Sequence, residues 1–481
     1  MVEMNTSFFG EMLQTISERG RALLDRARDR RGDAAARSAS LIELCEELLS
    51  GRGEASGVAL AREILSAYSE LTVGPRIAFF EALAVRFAVD RERIDAAVDA
   101  WTRLGTDEAA AELHLAAEPR RQELFRRLNL APGGTAALVA MREDLMDALV
   151  HRDDLAPVDQ DFVHLFSSWF NRGFLVLRRI DWSTPAIVLE KIIRYEAVHQ
   201  IRDWDDLRRR IDPPDRRCYA FFHPALNDEP LIFVEVAFTN GIPNAIGPIL
   251  GNGGETLAPE RANTAVFYSI SNCQRGLAGV SFGSFLIKQV VEEVSREFSR
   301  LSTFVTLSPV PGFANWLARE RKSEKPTLTP DDLAALAPLD EPEWWRNGAA
   351  ERLEEPLRRA AATYFLSAKG RSGLPLDPVA RFHLGNGARL EQLDFLGDLS
   401  AKGLAQSHGL MVNYQYDLDD IEKNHEAFAE NRLVVASSAV RKLARPGPTG
   451  DVVRSSVKPD PMETAGNASG ALQVSQIGKI S

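Results

Sequence analysis

Cysteine is scarce in this chain, and the three cysteines that occur lie far apart. They are Cys45, Cys218 and Cys273, in a sequence of 481 residues. A sparse and odd set provides neither a disulfide framework nor a C-x-x-C metal pair. The sequence therefore favours a reducing compartment, and we expect a cytoplasmic protein without a bound metal.

Long apolar runs, a secretory signal and excess positive charge are missing as well. No apolar stretch approaches the roughly 18 to 20 residues of a membrane span, and the N-terminus lacks a basic start followed by an apolar segment. The net charge of −11 at pH 7 disfavours nucleic acid or an anionic membrane as the main partner. The final residues, Lys479-Ile480-Ser481, are not the peroxisomal S-K-L signal.

What is present is the composition of a globular protein with a core. Hydrophobic residues make up 45% of the chain and charged residues 26%, and the length suggests two or three domains. Phe9, Met12, Leu13 and Ile16 recur at helical spacing. Helices are also predicted over 59–71 and 136–149, the second with Thr135 as its cap. We therefore expect a helical domain over residues 1–174.

The middle of the chain alternates between strand and helix patterns. The runs 217–223, 230–238, 264–271, 303–307 and 389–395 are predicted strands. Helices are expected after Trp182, capped by Ser183 or Thr184, and over 284–298. Residues 320–370 are interpreted as a helical insertion. We expect an α/β catalytic domain over 175–445, followed by a disordered tail over 446–481.

A glycine-containing turn follows the predicted strand 264–271 and precedes a helix. Backbone N–H groups at such a helix start bind anions, and glycine lets the backbone approach phosphate oxygens. An ordinary tight strand-to-helix connection explains the same pattern. The turn is similar to the acyl-CoA pyrophosphate loop of GNAT-type acetyltransferases, although Ala278 and Ser281 depart from that pattern. The residues predicted to contact CoA here are Gln274, Arg275, Gly276, Gly279, Ser281, Phe282, Gly283 and Ser284.

Longer motifs resemble the malonyl-CoA decarboxylase family and occur in that family's order over most of residues 165–416. They are EAVH (196–199), RRCY (216–219), FYSIS (267–271), GSFLIK (283–288), LSPVPGF (307–313), PVARFHLGNGA (378–388) and GLMVNY (409–414). The N-terminal third is similar to the family in helical character more than in its residues.

This resemblance implies both a fold and a reaction. The implied fold is α+β with two domains: an all-α helical bundle that mediates homo-oligomerisation, as a dimer or tetramer, and a GNAT-type α/β catalytic domain with a helical insertion. The implied reaction converts malonyl-CoA to acetyl-CoA and CO2 without a cofactor. Ser308 and His383 match the family's catalytic residues, and Ser269 matches a serine of its site region. Ser281 stands where some members carry Glu.

The residues alone leave other interpretations open. Ser308 precedes a proline, as a helix N-cap does, and His383 precedes a Gly-Asn-Gly turn, as a C-terminal cap or core histidine does. With an unperturbed pKa near 6.5, His383 would be a reasonable general acid. A CoA-dependent N-acyltransferase and a non-catalytic acyl-CoA sensor are the alternative functions. Loss of CO2 without an acceptor separates the decarboxylase from both.

Overall fold

The computed structural model describes residues 34–50, 54–251, 256–280 and 286–444. Contacts divide the chain into two compact units. A helical unit runs to Phe170 and includes 225–227 and 274–280, and a second unit contains the remaining residues. The predicted helix around Phe9 and the predicted tail lie outside the described residues.

Eight α-helices make up the described part of the helical unit. They are α1 (Ala34–Leu49), α2 (Glu54–Ser69), α3 (Val73–Val85), α4 (Arg91–Leu104), α5 (Asp107–Ala117), α6 (Arg120–Asn129), α7 (Gly134–Leu149) and α8 (Ala156–Trp169). Buried aromatic residues fill its core, and the rings of Phe125 and Phe162 stack with centroids 4.1 Å apart. The expected helical character of this region is confirmed.

The predicted cap of α7 is wrong. Gly133, with φ of 75°, occupies the cap position, and Thr135 lies inside the helix. Thr135 Oγ1 instead donates to Asn129 Oδ1 at 2.7 Å. Glycine adopts the left-handed conformation at this start with little steric cost.

A seven-stranded mixed sheet organises the second unit. Its strands are β1 (Val176–Ile180), β2 (Arg216–Phe222), β3 (Pro230–Thr239), β4 (Thr264–Asn272), β5 (Thr303–Pro309), β6 (Arg389–Asp394) and β7 (Met411–Gln415). Their order is β1-β2-β3-β4-β5-β7-β6. The five predicted strands are all present, and β1 and β7 were not predicted. Exposed residues, including Arg178 and Arg179, occupy the edge strand β1.

Among the seven strands of the described sheet, β4 and β5 form the parallel pair, and they pair over a short length. Their register joins 264–267 of β4 to 303–306 of β5, whereas β4 continues to Asn272 and β5 to Pro309. The two strands therefore part beyond this ladder, toward their carboxyl ends. In open α/β sheets, ligands bind in the crevice beyond the carboxyl ends of the strands.

A bulge in β4 changes which way its side chains point. In the pairing with β3, Glu235 lies opposite Ser269 and Val236 opposite Phe267, so Tyr268 has no partner position. Ser269 therefore shares the face of Glu235, while Phe267 points to the other face. Because Phe267 pairs with Thr306 in β5, the side chains of Thr306 and Ser308 also lie on that other face.

The described part of the second unit also contains eleven α-helices. They are α9 (Ala186–Tyr195), α10 (Trp204–Ile211), α11 (Gly247–Leu250), α12 (Leu286–Glu297), α13 (Phe313–Glu320), α14 (Pro330–Ala335), α15 (Ala349–Leu366), α16 (Pro378–Gly385), α17 (Ala401–Ser407), α18 (Ile421–Asn431) and α19 (Ser438–Leu443). The expected helical insertion corresponds to α14 and α15. Ile192 of α9 and Leu207 of α10 pack with Cys218 and Phe233 of the sheet.

The predicted cap after Trp182 is also wrong. Pro185 holds the cap position of α9 and no side chain caps the helix. Ser183 and Thr184 instead form a local turn with Asp181, whose N–H donates to Thr184 Oγ1 at 3.0 Å. Such side chains compete with capping by bonding to nearby backbone.

Neither membrane spans nor disulfides occur in the part of the chain that the structure describes. None of its helices is both long and apolar enough to cross a bilayer. Cys45, Cys218 and Cys273 are free and buried. Burial raises the pKa of each thiol above its ordinary value.

Candidate active site

Ser308 and His383 lie side by side in the second unit. Ser308 Oγ is 3.1 Å from His383 Nε2, and both side chains are buried. Ser308 comes from β5, beyond the residues that pair with β4. His383 comes from the last turn of α16. The structure thus joins two residues 75 positions apart that the family resemblance predicted as catalytic.

The structure explains how each residue is held. Ser308 pairs with Val412 of β7, and the next helix begins only at Phe313, with Gly312 in its cap position. The interpretation of Ser308 as a helix cap is therefore wrong. At the start of α16, the buried Asp377 carboxylate accepts from Ala380 N–H at 2.8 Å, which fixes the helix that carries His383.

Both ring nitrogens of His383 have partners. Tyr416 Oη lies 2.8 Å from Nδ1, and the ring of Tyr414 stacks on the imidazole with centroids 4.6 Å apart. Ser308 Oγ donates to Thr306 Oγ1 at 2.9 Å. Thr306, Tyr414 and Tyr416 are site residues that sequence reasoning missed. The GLMVNY motif (409–414) ends at Tyr414, but the motif alone did not indicate that this tyrosine contacts His383.

Burial controls the protonation of His383. It lowers the pKa of the imidazole to about 3, so the expectation of an unperturbed pKa is wrong. The cause is desolvation, which penalises the charged form. At neutral pH the free protein therefore holds a neutral imidazole between two hydroxyl groups. Burial also raises the pKa of Tyr416 well above its usual value, so its hydroxyl stays protonated.

Ser269 belongs to a different cluster. Its hydroxyl donates to Glu196 Oε2 at 2.7 Å, and that of Ser271 donates to the same oxygen at 3.2 Å. The other Glu196 oxygen accepts the N–H groups of Val198 and His199. Because the bulge directs Ser269 to the face of Glu235, the structure does not bring Ser269 together with the Ser308–His383 pair.

The described part of the glycine turn packs on α7, within the helical unit. Arg275 forms an ion pair with Asp147, and Gly276 N–H donates to Glu143 at 3.0 Å. A Cβ atom on Gly276 would lie 2.1 Å from Val139 O, whereas the positive-φ Gly279 has open space around it. Gln274 immediately precedes this turn. Ser281, Phe282, Gly283 and Ser284 lie outside the described residues. CoA binding by this segment stays a prediction.

No cluster of three or more His, Cys, Asp or Glu side chains suited to a metal ion occurs among the described residues. His199, the last residue of the EAVH motif, is buried. Its pKa is lowered to about 4, mainly by desolvation.

The chain thus has a helical unit and a second unit whose mixed sheet contains a buried Ser–His pair near the point where β4 and β5 part. Comparisons with known proteins identify the family. The model of the malonyl-CoA decarboxylase C-terminal domain matches residues 173–454, and that of the N-terminal domain matches 87–170. The chain belongs to the malonyl-CoA decarboxylase family.

Individual relatives agree with this assignment. The mitochondrial malonyl-CoA decarboxylase of Anser anser anser is 38% identical over 348 residues, covering 67% of this chain and 69% of that protein. Its counterpart from Rattus norvegicus is 37% identical over 362 residues, covering 70% and 73%. The crystal structure of malonyl-CoA decarboxylase from Rhodopseudomonas palustris superposes with a TM-score of 0.81 at 60% identity, covering 84% of this chain and 99% of that one. The crystal structure of the malonyl-CoA decarboxylase from Agrobacterium vitis superposes with a TM-score of 0.80 at 56% sequence identity, covering 84% of this chain and 99% of that one.

Proposed function

We propose that this carboxy-lyase decarboxylates malonyl-CoA at the Ser308–His383 pair. The observation that carries the proposal is the 3.1 Å contact between Ser308 Oγ and His383 Nε2, buried where β4 and β5 part, in a chain of this family. The products are acetyl-CoA and CO2.

The reaction needs one electron sink and one proton. When the bond between the terminal carboxylate and the methylene carbon breaks, its electron pair moves onto the thioester carbonyl as an enolate, and CO2 leaves. A general acid then protonates the carbon to give acetyl-CoA. Since the thioester itself accepts the electrons, biotin, pyridoxal phosphate and thiamine have no step to perform.

His383 is the proposed proton donor and Ser308 the proposed partner of the substrate carboxylate. The imidazole is neutral in the free protein, because burial holds its pKa at about 3. That neutral imidazole gives its Nε2 proton to the enolate carbon. The hydrogen bond that Tyr416 Oη donates to Nδ1 stabilises the negative charge left on the ring, and solvent then returns one proton to Nε2 for the next turnover.

The sheet topology supports a GNAT-type assignment of the catalytic domain. Four antiparallel strands lead to a short parallel β4–β5 ladder, and β7 and β6 complete the sheet. The bulge in β4 and the opening beyond the ladder suit an acyl-CoA thioester near Ser308. Gln274, Arg275, Gly276, Gly279 and residues 281–284 stay the predicted CoA contacts.

Two further expectations belong to this proposal. The helical unit carries exposed apolar side chains on α4 and α5, namely Val98, Trp101, Leu104 and Leu115, which suits the predicted homo-oligomer. The three free cysteines suit a reducing compartment such as the cytoplasm.

The test is decarboxylation of malonyl-CoA alone by the purified full chain, with acetyl-CoA and CO2 both measured. Ser308→Ala and His383→Gln are each expected to reduce kcat by about 10²- to 10⁴-fold, as for loss of a general acid or its partner. His199→Gln is the control, because it removes a buried histidine that does not contact the pair. Undiminished turnover by both site variants would overturn the assignment of the pair. CoA binding without any acetyl-CoA would favour a transferase or a sensor.

A further inference from the structure

Beyond Ser308, the hydrogen bonds continue to a residue that is completely buried. Thr306 lies two positions earlier in β5 on the same face, with 0% of its surface exposed. Its Oγ1 accepts the Ser308 proton at 2.9 Å and also lies 3.4 Å from the Tyr414 N–H, which can only donate. Thr306 therefore sits behind the pair, where it cannot be reached from solvent.

The position of the Ser308 proton decides the tautomer of His383. A serine hydroxyl has one proton, and here that proton is directed at Thr306. Toward His383 the Ser308 oxygen is then an acceptor, so Nε2 must carry the ring proton. Nδ1 is left to accept from the Tyr416 hydroxyl. All hydrogen bonds consequently run in one direction, from Tyr416 through His383 and Ser308 to Thr306.

We infer that Thr306 is a positioning residue that keeps the proton of His383 on Nε2 by drawing the Ser308 proton away from the ring. The inference rests on the proposed function of the pair, and it adds the residue that sets the direction of its hydrogen bonds. Among the partners of Ser308 Oγ in the described residues, His383 Nε2 is the acceptor that remains when the Thr306 hydroxyl is removed. The imidazole then carries its proton on Nδ1 and donates it to Tyr416 Oη. Nε2 is left with a lone pair, at the position from which the enolate carbon needs a proton.

Thr306 also serves the step in which substrate arrives. When the Ser308 hydroxyl turns to donate to the malonyl carboxylate, Thr306 can give its own proton to the vacated lone pair of Ser308. A hydroxyl group both accepts and donates, which a methyl group does not. Thr306→Val keeps the shape of the side chain and removes both abilities, whereas Thr306→Ser keeps both.

The experiment reads the tautomer of His383 directly in the free full-length protein. Protonated and unprotonated imidazole nitrogens differ widely in 15N chemical shift, and histidine-selective labelling leaves only eight residues to resolve. The His383 signals are assigned by their loss in His383→Gln. We expect the Nε2–H tautomer in the wild type and in Thr306→Ser, and the Nδ1–H tautomer in Thr306→Val.

Turnover is measured on the same samples. Thr306→Val is expected to lower kcat by about 10- to 100-fold, with KM for malonyl-CoA changed less than about twofold, because a general acid in the wrong tautomer slows only the chemical step. Thr306→Ser should recover most of the rate. Thr264→Val is the matched control: Thr264 is a buried strand threonine whose hydroxyl donates to Asn263, and its loss should alter neither tautomer nor kcat.

An Nε2–H tautomer that persists in Thr306→Val, or a kcat within about twofold of the wild type, would overturn the inference. If the valine variant does not fold, Thr306→Ala makes the same deletion with less bulk and must give the same Nδ1–H result. Failure of the proposed function is distinguishable. It appears as undiminished turnover in Ser308→Ala and His383→Gln, and the tautomer of the free protein does not depend on it.

Discussion

Two tyrosines approach the imidazole of His383, and they differ in what their hydroxyl groups do. Tyr416 Oη lies 2.8 Å from Nδ1. Tyr414 stacks on the ring, and its own hydroxyl has no hydrogen-bond partner among the residues that the structure describes. One tyrosine therefore acts on the ring by a hydrogen bond and the other by its aromatic face. Removing each hydroxyl separates these two contributions.

Tyr416→Phe is expected to lower kcat by about 10-fold, because Nδ1 loses the donor that orients the imidazole. The free energy of unfolding should fall by about 1 kcal/mol for the lost buried hydrogen bond. Tyr414→Phe keeps the stacked ring and removes an unpaired buried hydroxyl, so its kcat and stability should equal or exceed those of the wild type. Steady-state kinetics and urea unfolding measure both quantities. A slower Tyr414→Phe enzyme with an unaffected Tyr416→Phe enzyme would contradict this division of roles.

Single residues of the candidate site could be predicted from the sequence where they lie within long motifs. The motifs around Ser308 and His383 are long, so the resemblance predicted both, and the structure places them 3.1 Å apart. Local patterns around the same residues favoured caps instead, since Ser before Pro is typical of a helix start. The ladder with β7 overrides that pattern, because it depends on Val412, which is distant in sequence. Thr306 and Tyr416 gave no local signal, as their roles depend on pairing and burial alone.

At the scale of elements, the turn that includes Gly276 and Gly279 shows two different uses of glycine. A Cβ on Gly276 would lie 2.1 Å from Val139 O in α7, so this glycine allows the close approach of two backbones. Gly279 has φ of 78° and no atom within 4 Å of a built Cβ. No close approach explains this glycine, and its contact with CoA stays a prediction.

Gly276→Ala is expected to cost about 1 to 3 kcal/mol of stability, because the added carbon forces the turn away from α7. Gly279→Ala should cost about 1 kcal/mol for the left-handed backbone alone. If Gly279 faces CoA phosphate, its alanine variant should in addition raise KM for malonyl-CoA, with kcat unchanged. Thermal unfolding and initial rates give the two readouts. An unchanged KM in Gly279→Ala would remove this glycine from the predicted CoA contacts.

Elements were predicted better than their ends. Runs rich in Phe, Val, Ile and Tyr predicted β2, β3 and β4, because such side chains suit a buried, pleated surface, and 303–307 and 389–395 were also predicted as strands. β1 and β7 escaped notice: β1 contains two arginines in five residues, and β7 is short and mixed. The caps of α7 and α9 were wrong, because the residues chosen bond to other local groups. Capping depends on backbone angles that composition does not specify.

Across the whole molecule, buried ionisable groups link stability to pH in opposite directions. The unfolded chain protonates His383 near the ordinary histidine pKa, whereas the folded chain does so only near 3. The folded state thus binds fewer protons between those values and loses stability as the pH falls through that window. Burial raises the pKa of Glu235 to about 8 and that of Asp377 to about 6, so these groups cost stability as the pH rises.

A difference measurement isolates the contribution of His383. From about pH 6 to about pH 4, the free energy of unfolding of the wild type should fall by about 2 to 3 kcal/mol relative to that of His383→Gln. Urea unfolding at each pH provides the values. His151→Gln, which removes an exposed histidine, is the control and should follow the wild type. Parallel curves for the wild type and His383→Gln would show that the imidazole is already accessible to protons in the folded state.

The sheet ends at β1, with Arg178 and Arg179 in the middle of the strand. Arg178 lies over the ring of Phe222, and Arg179 lies 3.5 Å from Glu297, so both side chains are held at the rim of the sheet. Charge on an outermost strand discourages another chain from adding its own strand there. These two arginines therefore protect newly made or concentrated protein from edge-to-edge aggregation, and exchanging both for threonine would give a chain that still folds but precipitates more readily.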